Sequence, residues 1–150
     1  MPAIVNLDEL LRSLEPVLNP GTYVFATLPA DASVHPSQLV ACIHEPEGLS
    51  VVLTRDVARQ AGITPLIACA WITLNVHSDL QAVGLTAAFA GALGRAGISC
   101  NVVAGACHDH IFVPERQAEK AMVELKRLQA GRAPSHGASS AGDPHAAPAG

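Results

Sequence analysis

The chain has 150 residues, 49% of them hydrophobic and 15% charged, with a net charge of −4 and a pI near 5.9. That length allows one domain or two small ones with a real core, and the acidic balance excludes the basic face that nucleic-acid binding needs. No apolar run reaches the ~18–20 residues of a membrane span. MPAIVNLDELL lacks the basic and long apolar regions of a signal peptide, so a cytoplasmic protein with reduced thiols is expected.

The first element is a short amphipathic helix from Leu7 to Leu14, with Asp8 suited to its first turn. TYVFATLP, from Thr22, reads as a strand ended by Pro29, and a turn-rich stretch runs from Ala30 to Ser37. LVACIHE and LSVVLT are two β-type runs joined by Glu45 to Gly48, a hairpin signal. RDVARQAG, from Arg55, is a short helix closed by Gly62.

The second half begins near residue 65 with the strand IACAWITLNVHS. In AVGLTAAFAGALGRAG the apolar Leu85, Phe89, Ala92, Leu93 and Ala96 lie on one helical face, and Gly97 stands where a left-handed cap belongs. The strand ISCNVV follows, then a tight AGACHD connection and the strand HIFV. Pro114 is expected to start the last helix, whose buried stripe is Ala118, Ala121, Met122, Leu125 and Leu128. From Gly131 onward the Gly, Ala, Pro and Ser-rich tail has no periodicity and is expected to be disordered.

The order β-α-β-β-α, with a right-handed crossover, is a split βαβ unit of the ferredoxin-like kind that lacks its fourth strand. The N-terminal half must supply that strand, through TYVFATL or the LSVVLT hairpin. The expected fold is therefore α+β: two interlocked ferredoxin-like βαββαβ halves, 1–65 and 66–130, with antiparallel sheets, helices on one face, and a tail at 131–150.

Alternation sorts the strand faces. Ile72, Leu74 and Val76 point one way; Trp71, Thr73, Asn75 and His77 point the other. Ile98, Cys100 and Val102 should face the helices, as should Ile111 and Val113, leaving Ser99, Asn101, His108, His110 and Phe112 outside. Antiparallel pairing of the first and third strands brings Asn75 and His77 towards His108 and His110. The turn before the long helix lands at that end, and its amides favour anions.

ITLNVHSDLQAVGLTAAFAGALGRAGISCNVVAGACHDHIFVP resembles an ACT domain, strongly over 72–114 and consistently over 115–129. The N-terminal half, Val5 to Gly62, is similar through PVLNPGTYVF and EGLSVVLT. The resemblance is to standalone proteins with two ACT-like halves. VGLTA places Gly84 at the family's glycine in the first loop, and AGISCNVV places Asn101 at a common ligand-contact position. Ala106 and Cys107 stand where such proteins commonly carry tyrosines.

The resemblance implies a non-enzymatic, regulatory protein, commonly paired, that binds an amino acid or related small molecule and needs no cofactor. Its ligand carboxylate would meet amides near Val83, Gly84 and Leu85. Asn75, His77, Asn101, His108 and His110 would complete the contacts, in a homodimer or higher oligomer. Two alternatives stay open: a metal-binding protein using His77, His108 and His110, and a pure interaction module. Asp109 should point away from the flanking histidines. Cys107 lacks an oxyanion motif and an orienting group, so no nucleophile is expected. Cys42, Cys69 and Cys100 are expected in the core. Gly84, Gly91 and Gly94 lack the spacing of a dinucleotide fingerprint.

Overall fold

The computed structural model describes residues 6–76 and 80–131. Helix α1 (Leu7–Ser13) begins at Asn6, whose side chain accepts from the Glu9 amide at 3.1 Å. This bond satisfies one amide that the first helical turn leaves open. Strands β1 (Glu15–Leu18) and β2 (Tyr23–Leu28) follow, then a 3-10 turn at Pro36–Gln38. The hairpin of β3 (Leu39–Glu45) and β4 (Gly48–Thr54) turns through Gly48, at φ 140. Helix α2 (Arg55–Gln60) leads into the long β5 (Ile67–Asn75). Helix α3 (Leu85–Arg95), β6 (Asn101–Ala104), β7 (Asp109–Pro114) and α4 (Ala118–Gln129) complete the order.

Among the described residues all seven strands join one antiparallel sheet in the order β3-β4-β2-β5-β7-β6, with β1 also on β5. Strand β5 is the common member. Its start, Ile67 to Cys69, pairs with β2, while Ile72 to Asn75 pair with β1 on the same edge. Strand β7 takes the other edge from Cys69 to Leu74. Thus β1-β5-β7-β6 is one complete ferredoxin-like sheet and β3-β4-β2-β5 a second, fused through β5. The halves interlock as the sequence implies. The missing strand, however, is EPVL at Glu15–Leu18, supplied by neither LSVVLT nor TYVFATL; the latter pairs along its length with β4 and reaches only the beginning of β5.

The helices cover one face. Leu10, Leu14, Ile72, Leu74, Phe89, Leu93, Ile111, Val113 and Leu125 are fully buried in the core of the C-terminal unit. Val24, Val51, Leu53, Ala58 and Ile63 make a second core under α2. The first crossover of the N-terminal unit carries only the 3-10 turn, with no helix over β3. Cys42 on that edge strand is consequently exposed, contrary to its expected place in the core, whereas Cys69 is buried and Cys100 half-buried.

Two further boundaries differ from expectation. Ile98 belongs to the cap of α3 and not to a strand: its N–H bonds the Leu93 carbonyl at 2.9 Å, and the Gly97 N–H bonds that of Gly94 at 3.0 Å. Gly97, at φ 73, supplies the left-handed residue this paired cap requires. Pro114 is the last residue of β7, and a 3-10 turn at Glu115–Gln117 precedes α4. Val102 shares the helix-facing register of Ile111 but remains 36% exposed at the sheet edge.

Candidate functional site

Strand alternation puts Trp71, Thr73 and Asn75 of β5 on the face away from the helices, beside His110 and Phe112 of β7. Register makes Trp71 the partner of Phe112 and Thr73 the partner of His110. The Trp71 indole N–H donates to His110 Nδ1 at 3.1 Å, and Thr73 Oγ1 lies 3.3 Å from the same nitrogen. Asn19, beyond β1, donates to Thr73 Oγ1 at 2.9 Å and to the Trp71 carbonyl at 3.2 Å. An indole nitrogen can only donate, so His110 Nδ1 accepts and the neutral ring carries its proton on Nε2.

Burial, then the neighbouring His108 charge, lowers the His110 pKa, with Asp109 opposing. Gly105 lies against this ring: a Cβ there would stand 3.2 Å from His110 Nε2 and 2.9 Å from the His108 carbonyl. Asp109 takes the other face, opposite Leu74 and Ala104. Burial raises its carboxyl pKa despite the two histidines.

This second face is not open sheet. Tyr23, Val52, Cys69 and Phe112 are buried on it, with Phe25, Trp71, Val40, Ala41 and Val103 packed around them. Tyr23 meets Trp71 edge-on at 5.2 Å, and Phe25 meets Phe112 likewise at 5.2 Å. Phe112, expected outside, is fully buried because the sheet curls over its own face. Trp71, Thr73 and Asn19 were absent from the candidates drawn from sequence. The shared alternation of Trp71 and Thr73 with Asn75 was their signal.

At the other candidate position, Gly84 holds φ 102 at the N-cap of α3 and, as a glycine, contributes no side-chain cap. The Ala88 N–H reaches the Gly84 carbonyl at 2.9 Å, so the amides before it have no acceptor within the helix. Val83 is 86% exposed, whereas the Leu85 side chain is buried, leaving only its backbone to a ligand. Leu7 of α1 packs on Gly84, with a methyl 3.0 Å from where a Cβ would lie.

The remaining candidates do not all converge. Asn75 stands half-buried opposite Glu15, at the end of β5 beside which β7 begins, near His108 and His110. Asn101 is exposed opposite Phe112, in the row of Trp71. That row is four residues back along β5, about 13 Å from Asn75. His77 lies outside the described residues. Among the described residues no three His, Cys, Asp or Glu side chains cluster as metal ligands. No described helix is long and apolar enough to cross a membrane.

Two matches to the ACT-domain family cover residues 2–70 and 66–127. They overlap where β5 pairs with β2. A solved structure of a Vibrio cholerae protein of unknown function, described as a possible transport protein, is 46% identical. The alignment covers 82% of this chain and 95% of that one, with a TM-score of 0.73. The regulatory subunit of Thermus thermophilus aspartate kinase, in its ligand-free form, is 11% identical with a TM-score of 0.56. That match covers 75% of this chain and 95% of the other. Escherichia coli aspartokinase III, solved with aspartate and ADP, is 11% identical with a TM-score of 0.55, over 75% of this chain and 32% of that one. These two kinases share the fold. No curated protein matches the sequence.

Proposed function

Because this chain belongs to the ACT-domain family, with two such units in tandem, we propose that it is a non-catalytic regulatory module whose ligand is of the amino-acid class. The observation that carries this reading is the first turn of α3. Its N-cap residue is the left-handed Gly84, which has no side chain to bond the first amides. Such a terminus suits a carboxylate through aligned N–H donors and the helix dipole.

Val83, Gly84 and Leu85 would hold the carboxylate through their backbone. Asn75 and His108, at the neighbouring end of the sheet, are the proposed partners of the ligand's other polar groups, with His77 as a further contact. Asn101 is retained as a contact only through a second copy, given its distance from Asn75. His110 is better suited to organising the site than to holding a metal, because Nδ1 is already taken by the indole. A cytoplasmic setting and a homodimer or higher oligomer belong to the same proposal. Ligand binding would regulate by favouring one arrangement of paired chains, which requires different affinities for the two arrangements.

A thermal-shift screen of the twenty amino acids tests the reading. A ligand at ~100 times its dissociation constant adds about 2.7 kcal/mol, a shift of several degrees. One amino acid, or a chemically related few, should raise Tm. The response should be lost in Gly84→Ala, whose methyl at φ 102 strains the turn and meets Leu7. A flat screen to millimolar concentration, with no heat of binding by calorimetry, would reject the amino-acid reading.

A further inference from the structure

His110 is the meeting point of three segments. Its Nδ1 accepts from the Trp71 indole at 3.1 Å. Thr73 Oγ1, which Asn19 fixes from the link between β1 and β2, lies 3.3 Å from the same nitrogen. At the Nε2 edge of the ring stands the turn from β6 into β7, closed by the bond from the Gly105 N–H to the His108 carbonyl at 2.9 Å. The turn fits there because residue 105 has no side chain: a Cβ would stand 3.2 Å from His110 Nε2. Trp71 meets Tyr23 of the N-terminal unit edge-on and stacks along Phe112 of the C-terminal unit. One imidazole thus lies between a hairpin tip, residues 105–108, and the aromatic junction of the two units.

We propose that His110 is an acid-sensitive latch, holding the hairpin tip and the Trp71 indole in one arrangement while neutral and releasing both when protonated. The neutral ring offers one lone pair, at Nδ1, and the indole takes it. In the protonated ring both nitrogens donate, so neither the present orientation nor a flipped one gives the indole an acceptor. Thr73 Oγ1 can accept the new Nδ1 proton, but the half-buried indole N–H is then left facing another donor, which is unfavourable. Separating the ring from the indole drives its Nε2 edge into the glycine turn, so the tip has to give. Burial favours the neutral ring, as does His108, and Asp109 opposes them. Among the described residues the facing elements bring no further charge: β5 presents Trp71 and Thr73, β6 presents Val103, and the tip adds the thiol of Cys107. The tip carries His108, so release would also loosen the ligand contact assigned to that residue. This last consequence rests on the function proposed above; the latch itself does not.

Trp71 is the one tryptophan of the chain, so its indole N–H is a single NMR signal. A titration of the full chain from about pH 8 to about pH 4.5 spans an ordinary histidine pKa near 6.5 and a lowered one. It follows the indole, the His110 ring and the amides of residues 105–108. The indole and the tip amides should shift together at the His110 midpoint, and the Gly105 amide should lose protection from exchange there, while β2 and β4 stay unchanged. His110→Gln keeps an acceptor that does not titrate and should abolish the coupled shifts. If that variant fails to fold, Trp71→Phe should uncouple the tip from the ring's titration. His108→Gln should leave the coupled shifts in place. A ring that stays neutral throughout, tip amides that ignore its midpoint, or shifts that persist in His110→Gln or vanish in His108→Gln would overturn the proposal. So would a loss of dispersion across the whole spectrum at that midpoint, which is global unfolding and not a latch.

Discussion

An imidazole that accepts from an indole is held neutral, and that has a consequence for stability. Protonating His110 at Nδ1 would set one N–H against another, and burial already lowers its pKa in the folded state. The unfolded chain then binds the proton more readily. His110 therefore contributes stability that is complete above about pH 6.5 and is lost as pH falls from there to the folded pKa. Denaturant melts in steps from pH 7.5 downward should show this loss, and His110→Gln should flatten it. Trp71→Phe removes the donor and should raise the His110 pKa measured by NMR titration. An unchanged pKa would show that the indole bond does not set the protonation state. The half-buried Asp109 carboxyl, its pKa raised by desolvation, acts in the opposite sense: it costs stability as pH rises from the ordinary carboxylate pKa to its folded one.

The thiols divide on the same physical ground. Burial, with a smaller contribution from Glu115, pushes Cys69 up to about 11, and burial also raises Cys100. Cys42 and Cys107 are exposed. Iodoacetamide at neutral pH should modify Cys107 and Cys42 first, Cys100 slowly and Cys69 only on unfolding; mass mapping of the adducts reads the order. Sequence reasoning grouped Cys42 with the buried thiols because its neighbours are apolar. A strand records which residues alternate but not whether a helix covers them.

Among the elements, β1 shows why some structure is hidden from sequence. EPVL has four residues and a proline, too little for a periodic signal, and Pro16 weakens any strand assignment. Its place is set by what surrounds it: α1 plants Leu10 and Leu14 in the C-terminal core, and the short strand between them and β2 completes the sheet along β5. Leu14 is fully buried at that junction, so Leu14→Ala should cost about 2–5 kcal/mol. Chemical denaturation should show this as a lower midpoint with an unchanged slope. A loss below 0.5 kcal/mol would mean that the N-terminal segment is only loosely attached. The α3 helix and its glycine cap were legible because both announce themselves locally, through a 3.6-residue stripe and a Gly after the last turn. The last helix was placed one turn early because Pro114 fits a strand end as well as a helix start.

At the scale of the molecule, the two ACT units are not separable beads. The C-terminal unit borrows β1 and the buried leucines of α1, and the N-terminal unit borrows the start of β5 as its own edge partner. Glu115, at the end of β7, adds a link by accepting from Thr22 at 2.7 Å and Arg55 at 2.8 Å. A fragment of residues 66–131 should therefore lack dispersed amide signals on its own and gain them when a peptide of residues 6–19 is supplied. Independent folding of the fragment would contradict the interlocked reading. The interlock itself was legible, because a βαββα run followed by a tail of Gly, Ala, Pro and Ser composition has to find its fourth strand elsewhere. The curl of the sheet was not: it depends on seven strands acting together, and it turned an expected open polar face into a buried aromatic one around Trp71 and Phe112.

The central claim is that a small carboxylate sits on the first turn of α3. An amide NMR titration of the full chain with the amino acid selected by the thermal screen tests it most directly. The account predicts saturable shifts led by the amides of Gly84, Leu85, Thr86 and Ala87, with smaller ones at Asn75 and His108, and no response to the matching amine that lacks the carboxylate. Saturable binding whose shifts leave residues 84–87 untouched would contradict it.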